Sequence, residues 1–387
     1  MRRCKNWLTS YLEFTELLES PTSYHIWCGL STVAACLRRQ VWVNMGYFRV
    51  YPNLFVVLVA PAGRCRKTVA IAVATSLLQD FSDVRLSADN ITREALIKAV
   101  KTSEVMCVMP DKTIYMHSSL TIISKELSVF LGTGNHDLLS LLTDLFDCPD
   151  KWEYRTKGSG VDSCIGIWLN MLAASTPSWL VGSIPLTAIG GGFTSRVIFV
   201  VEDDVRLKNP LPLLTDRQLR IREDLVFDLE QIQMSRGEYQ LTKKAQEWFS
   251  EWYLRDNTKI NDPRFWGYSE RKHIHLLKVA TLISVCEGGP NIIDEVHLAM
   301  ALKLINALEP SMVDAFGAAG RSELAPDIDL ILNYIIEKKA VTKEQIYNST
   351  WRDVDPRVLD IIIDTLKNMG KITIIPKEGK VWFEYCG

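Results

Sequence analysis

The chain has no uninterrupted apolar run of about 18 residues, the minimum for a membrane-crossing helix, and no secretory signal. No membrane span is expected, and the location expected is the cytoplasm. Also missing is any C-x-x-C pair among the nine cysteines, which stand at 4, 28, 36, 65, 107, 148, 164, 286 and 386. An odd, unpatterned set argues against a disulfide framework and reads as reduced core thiols. Histidine is scarce, with six in 387 residues. The close pair His273-x-His275 has no third ligand cluster near it, so a helix position is expected there and not a metal site. Strong charge of either sign is lacking too. With a net charge of -2, any nucleic-acid contact must come from local basic patches and not from a global field.

What the chain does have is apolar content, 47% against 23% charged. That composition points to a well-packed globular protein of two or three domains. The stretch that organises it is Asn53 to Thr68. A six-residue apolar run, Leu54 to Val59, leads into Ala60-Pro61-Ala62-Gly63-Arg64-Cys65-Arg66, then Lys67-Thr68, then the apolar start of a helix at Val69. A strand, a tight loop and a helix in this order form the context of a phosphate-binding loop. Residues Ala62 to Val69 would wrap the phosphates with backbone N–H groups and the helix N-terminus. Lys67 would reach the β and γ phosphates, and the Thr68 hydroxyl would hold Mg2+. The pattern G-x-x-x-x-G-K-[ST] asks for glycine at Pro61 and Arg66; only Gly63 supplies backbone freedom.

Two helices precede this stretch, within about residues 5–40, with a break at Ser20-Pro21. After it come a short strand at Val84–Ser87, a helix from Ile91 capped by Thr92, and apolar stretches at Thr113–His117 and Leu120–Leu127. The last ends in Glu126, placed to polarise an attacking water; Lys125 stands where an aspartate is usual. A helix at 138–149 leads to a hairpin over 152–168 with a Gly-Ser-Gly turn. Arg155 and Lys157 at its tip, with Lys151 nearby and Ser159 in the turn, offer cations and accessible backbone to nucleic-acid phosphates. A strand ending at Thr176-Pro177 follows, then Arg196 at the start of another, where it could stabilise a transferring phosphoryl group. Helices near 223–234, 242–255, 270–286 and 294–308 come next, the third opened by Arg271. Gly317–Gly320 is the clearest linker. Beyond it, helices at 327–338, 344–348 and 356–369 and a hairpin of 371–375 with 380–385 make the order of a winged helix. Its near-balanced charge leaves weak DNA contact and protein contact equally open.

With these pieces in order, the chain resembles AAA+ ATPases of the phage and mobile-element primase–helicase type, with a motor layout similar to MCM-like replicative helicases. Ala60–Thr68 matches the Walker A loop, and Glu126 the Walker B glutamate. Leu172-Ala173-Ala174-Ser175-Thr176-Pro177 is similar to the sensor-1 strand, with Thr176 in place of the sensor asparagine. Thr194-Ser195-Arg196 resembles the arginine-finger element, and Arg271 the sensor-2 arginine. The hairpin takes the pre-sensor-1 position, which lines the DNA channel in such rings.

The resemblance implies an α/β fold: residues 1–45 as an N-terminal helical segment, 46–205 as the AAA+ core, 206–316 as a helical lid, and 321–387 as a winged helix. It implies ATP with Mg2+, a homo-oligomeric ring (a hexamer), DNA in a central channel, a separate primase or polymerase partner, and host cytoplasm if a phage or mobile element encodes it. The function expected is an ATP-driven DNA helicase or translocase. A weakly hydrolysing scaffold and a DNA-binding initiator acting through the winged helix are the alternatives.

Overall fold

The structure, a computed structural model, describes residues 2–132, 135–156, 160–183, 192–255, 260, 262, 265–316, 325–350, 354, 356–377 and 380–386. The chain divides into two compact units, Met1–Gly317 and Ala318–Gly387.

The first unit is mixed α/β and is built on a five-stranded, mostly parallel sheet. In chain order its elements are helices α1 (Trp7–Phe14) and α2 (Thr22–Leu37), strand β1 (Phe55–Val59), helices α3 (Lys67–Leu78) and α4 (Arg93–Thr102), and strands β2 (Glu104–Val108) and β3 (Ile114–Ser124). Helices α5 (Leu127–Leu131) and α6 (His136–Phe146), strand β4 (Ile167–Ser175), helix α7 (Pro177–Ser183) and strand β5 (Val197–Val201) complete the sheet region. Helices α8 (Asp216–Gln233), α9 (Lys243–Arg255), α10 (Trp266–Glu287) and α11 (Glu295–Asn306) follow. The strand order is β2-β3-β4-β1-β5, antiparallel only between β2 and β3.

Burial explains the strand sequences. Every residue of β1 and of β4 is buried, so neither reads as an alternation: β1 is a continuous apolar run and β4 is apolar but for Asn170 and Ser175, as suits strands covered on both faces. Two buried asparagines lock the start of β1. Asn53 donates through Nδ2 to the Phe146 and Leu169 carbonyls, both at 2.9 Å, and the Leu54 N–H donates to Asn170 Oδ1 at 2.9 Å. Helix α2 is buried almost all round, packed on α1, α3, α8, α10 and the sheet.

Two expectations need correction. Thr113–His117 and Leu120–Leu127 are not separate stretches: Ile114–Ser124 is one strand, and Leu127 already begins α5. Val84–Ser87 makes only one parallel bridge, Leu86 with Thr121, because the neighbouring edge of β3 is taken by the unforeseen antiparallel β2.

The basic hairpin pairs Lys151–Thr156 with Gly160–Ile165 and enters β4 through Gly166. This glycine has φ +57, and a Cβ there would lie 2.6 Å from the Met116 carbonyl oxygen and 3.0 Å from His117 Cα. Backbone cannot move aside as a side chain can. Gly166→Ala should therefore destabilise the first unit by about 3 kcal/mol, from left-handed strain plus overpacking. Urea unfolding measures it, and a change under 1 kcal/mol would contradict the packing described.

The second unit has helices α12 (Ala325–Lys338), α13 (Lys343–Thr350) and α14 (Pro356–Asn368). They accompany a three-stranded antiparallel sheet in which Lys380–Tyr385 lies between Ala340–Thr342 and Ile372–Lys377. Its own core includes Ile331, Ile335, Ile346, Leu359, Ile362, Leu366 and Phe383.

Candidate functional site

The chain leaves β1 at Val59 and enters α3 at Lys67 through a loop that turns by left-handed residues. Gly63 (φ 72), Cys65 (φ 58) and Arg66 (φ 49) all have positive φ. For the two non-glycine residues this costs about 1–2 kcal/mol each, so they must be held in place. The Cys65 thiol is turned inward and donates to the Glu202 carbonyl at 3.5 Å. Arg66 Nε donates to Glu19 Oε2 at 2.6 Å, and the Ser20 hydroxyl donates to the Arg66 carbonyl at 3.2 Å. The Arg64 N–H closes a turn on the Pro61 carbonyl at 3.2 Å. The N–H groups of Cys65, Arg66, Lys67 and Thr68 have no backbone acceptor among the described residues, which leaves them available to an anion at the head of α3.

Lys67 folds back over this loop. Its Nζ donates to the Ala60 and Pro61 carbonyls at 2.7 and 3.0 Å, and it is only 8% exposed. Burial lowers its pKa, against smaller opposing pulls from Cys65 and Glu126.

A cavity of about 440 Å³ opens in front of it. Ala62, Gly63, Arg64, Arg66, Lys67 and Thr68 form one wall; Lys125, Glu126 and Ser128 form a second; Ala174, Ser175, Thr176 and Trp179 form a third. The walls meet because β1, β4 and β3 are adjacent and parallel, so their C-terminal ends share one sheet edge. The intervening β4 separates the lysine loop from the acid by one strand's width on each side, about 5 Å, which leaves space for phosphate and a water. Glu126 is extended (φ -141) at the cap of α5, its carbonyl receiving the Ser124 hydroxyl at 2.9 Å. Thr176 Oγ1 accepts the Trp179 N–H at 3.3 Å, which seats it at the head of α7.

Of the residues expected around a nucleotide, Cys65 and Val69 do not line the cavity: the Cys65 side chain is buried and Val69 lies along α3. Glu126 and Thr176 join Lys67 and Thr68 there, and Arg196 and Arg271 do not. Arg196 precedes Val197, which pairs with Phe55 at the start of β1, whereas Lys67 lies past the end of that strand. The two arginines meet each other instead, on Asp147. Arg196 Nη2 donates to Asp147 Oδ2 at 2.5 Å and Nη1 to the Gly192 carbonyl at 2.7 Å. Arg271 Nη1 donates to Asp147 Oδ1 at 3.2 Å. Arg196 is 8% exposed, not a free surface arginine.

In the hairpin, Lys151 is exposed and paired with Glu153 at 2.8 Å, and Arg155 lies in the first strand opposite Val161. Lys157 and Ser159 fall outside the described residues. Sequence reasoning missed Glu19 and Asp147, the two carboxylates that hold these arginines. A side chain at the glycine position of the loop was the available signal for the first; nothing in the sequence marked the second.

The cavity's donors suit a polyphosphate with a hard cation. A hydroxyl at Thr68, a carboxylate at Glu126 and phosphate oxygens are the oxygen ligands Mg2+ takes. No group of three metal-ligating side chains exists among the described residues, so such an ion would depend on the phosphates. No protein-family model matches the chain, and no curated protein matches it.

Proposed function

We propose that the chain is an ATP-dependent DNA helicase or translocase of the AAA+ kind, working as an oligomeric ring in the replication of a phage or mobile element. The observation that carries this reading is the placement of Lys67, Thr68, Glu126 and Thr176 around one cavity, with Arg196 and Arg271 gathered at the opposite sheet edge.

The loop amides and Lys67 would bind and orient the β and γ phosphates. Mg2+ held by the Thr68 hydroxyl would neutralise phosphate charge. Glu126 would orient water and accept its proton, and Thr176 would fix the water or the γ-phosphate by hydrogen bonding. Because Arg196 does not line the cavity of its own chain, it would serve a neighbour's, with Arg271 beside it. The basic hairpin would follow the DNA backbone, and residues 321–387 would act as a winged helix.

A second reading has its own support. Lys125 stands beside Glu126 in the cavity wall, and the Lys67 ammonium is engaged by two carbonyls. Both favour a scaffold that binds ATP and hydrolyses it slowly. ATPase assays with and without single-stranded DNA separate the two readings, since only the motor is stimulated.

The shared site has a sharper test. Lys67→Ala and Arg196→Ala should each be inactive alone. Mixed in equal amounts they should recover about a quarter of wild-type turnover, the share of random interfaces that pair an intact loop with an intact arginine. Recovery of nothing would remove the ring.

A further inference from the structure

We propose that Arg66 is a phosphate ligand held in reserve: Glu19 keeps its guanidinium at the cavity rim, and the terminal phosphate of a nucleoside triphosphate takes it over. This inference rests on the nucleotide reading above.

Arg66 occupies a left-handed position (φ 49, ψ 39) that glycine would fill without strain. A long cation kept at a strained position calls for a use, and its residue lines the cavity in front of Lys67. Its side chain is 54% exposed and, among the described residues, makes one ion pair, to Glu19 at 2.6 Å. With its arginine end open to solvent and Glu19 at 18% exposure, the pair is partly screened and can be exchanged. A terminal phosphate offers the guanidinium two oxygens and about twice the charge of a carboxylate, and planar bidentate binding is where arginine surpasses lysine.

Glu19 is equipped to lose its partner. Its Oε1 already accepts the Asn209 N–H at 3.2 Å, and Lys208 lies close enough to favour the charged carboxylate. The carboxylate would therefore not be stranded once the arginine left. The same segment grips the loop and the chain after β5: Ser20 Oγ is on the Arg66 carbonyl, and the Arg206 N–H is on the Glu19 carbonyl at 3.1 Å. The exchange needs only a side-chain rotation, because these backbone contacts can persist through it. A diphosphate, lacking the outer group, would leave Arg66 on Glu19. The pair thus gives the site a means of telling triphosphate from diphosphate beyond what Lys67 provides.

The test is calorimetric binding of a non-hydrolysable ATP analogue and of ADP, each with Mg2+, to the full chain. Glu19→Gln removes the competing charge yet keeps an acceptor for Asn209. It should tighten the ATP analogue by about three- to tenfold and leave ADP within about twofold. Arg66→Gly relieves the strain, so it should fold, and should reduce the preference for triphosphate. Adding Glu19→Gln to Arg66→Gly should change nothing further, because the competitor would have nothing left to hold. An unchanged preference in Glu19→Gln, or a Glu19→Gln effect that persists in the double variant, overturns the inference and leaves nucleotide binding standing. Failure of the wild-type chain to bind either nucleotide removes both.

Discussion

Lys67→Ala should lower ATP turnover about 10²- to 10³-fold, the usual loss when one preorganised charge on a transferring phosphoryl group is removed. The side chain is positioned for that role by its surroundings: 8% exposed, with its ammonium on the Ala60 and Pro61 carbonyls and the open cavity beyond. The fold should survive, because the lysine itself borders the open cavity and water can enter the space it leaves. Near-UV circular dichroism of the variant should match wild type. Burial lowers the lysine's pKa, so nucleotide affinity should weaken on the alkaline side sooner than for an exposed lysine. Turnover within a few-fold of wild type would mean that phosphates bind elsewhere.

Acid should unfold the first unit well before its carboxylates are all protonated. His25, His117 and His275 are buried, and burial drives their pKa values down to about 3, about 3 and about 4. The nearby charges push the same way: Arg206 by His25, and Arg38, Arg39 and Arg236 by His117. At His275 the Ser195 carbonyl, accepting the Nε2–H at 3.0 Å, opposes burial more than any one of Lys278, Arg271 and His273 assists it. All three are thus neutral when folded and take up protons when unfolded. Stability is full above about pH 6.5, where the unfolded histidines are also neutral, and falls as pH drops through the window down to about 3–4. By pH 5 the loss should be about 2 kcal/mol per histidine, roughly 6 in all, which is comparable with the whole stability of many domains. Tryptophan fluorescence would follow it, since Trp7, Trp27 and Trp168 are all buried in this unit. His25 has no hydrogen-bond partner on either ring nitrogen among the described residues, so His25→Phe should keep the packing and shift the acid midpoint downward. An acid midpoint identical in wild type and His25→Phe would contradict this account.

The parts legible in the sequence are those where one local rule decides. Leu54–Val59 is apolar throughout because the strand is covered on both faces, and Lys67-Thr68 after a small-residue turn marks the head of α3. Strand β2 was not legible. Its residues alternate between half-buried and exposed, but the exposed ones include Met106 and Val108, so no polar face announces a strand. Helix α2 shows apolar residues on every side because it is enclosed, and periodicity does not say by what. Arg196 reads as an edge residue until α6 brings up Asp147, a contact across 49 positions. Glu19 lies 47 positions before Arg66. Pairings at such distances depend on the fold and leave no trace in spacing.

The enclosure of α2 decides where the chain can be divided. Tyr24 donates to the Val59 carbonyl at 2.7 Å, and Asn170 Nδ2 donates to Ser31 Oγ at 3.0 Å, so the first forty residues fill the middle of the sheet's cover. A recombinant fragment cut at residue 46 would carry every cavity-lining residue yet expose the apolar back of its own sheet. Such a piece belongs among insoluble products, and a shorter version for crystallisation should keep the amino-terminal helices and trim elsewhere.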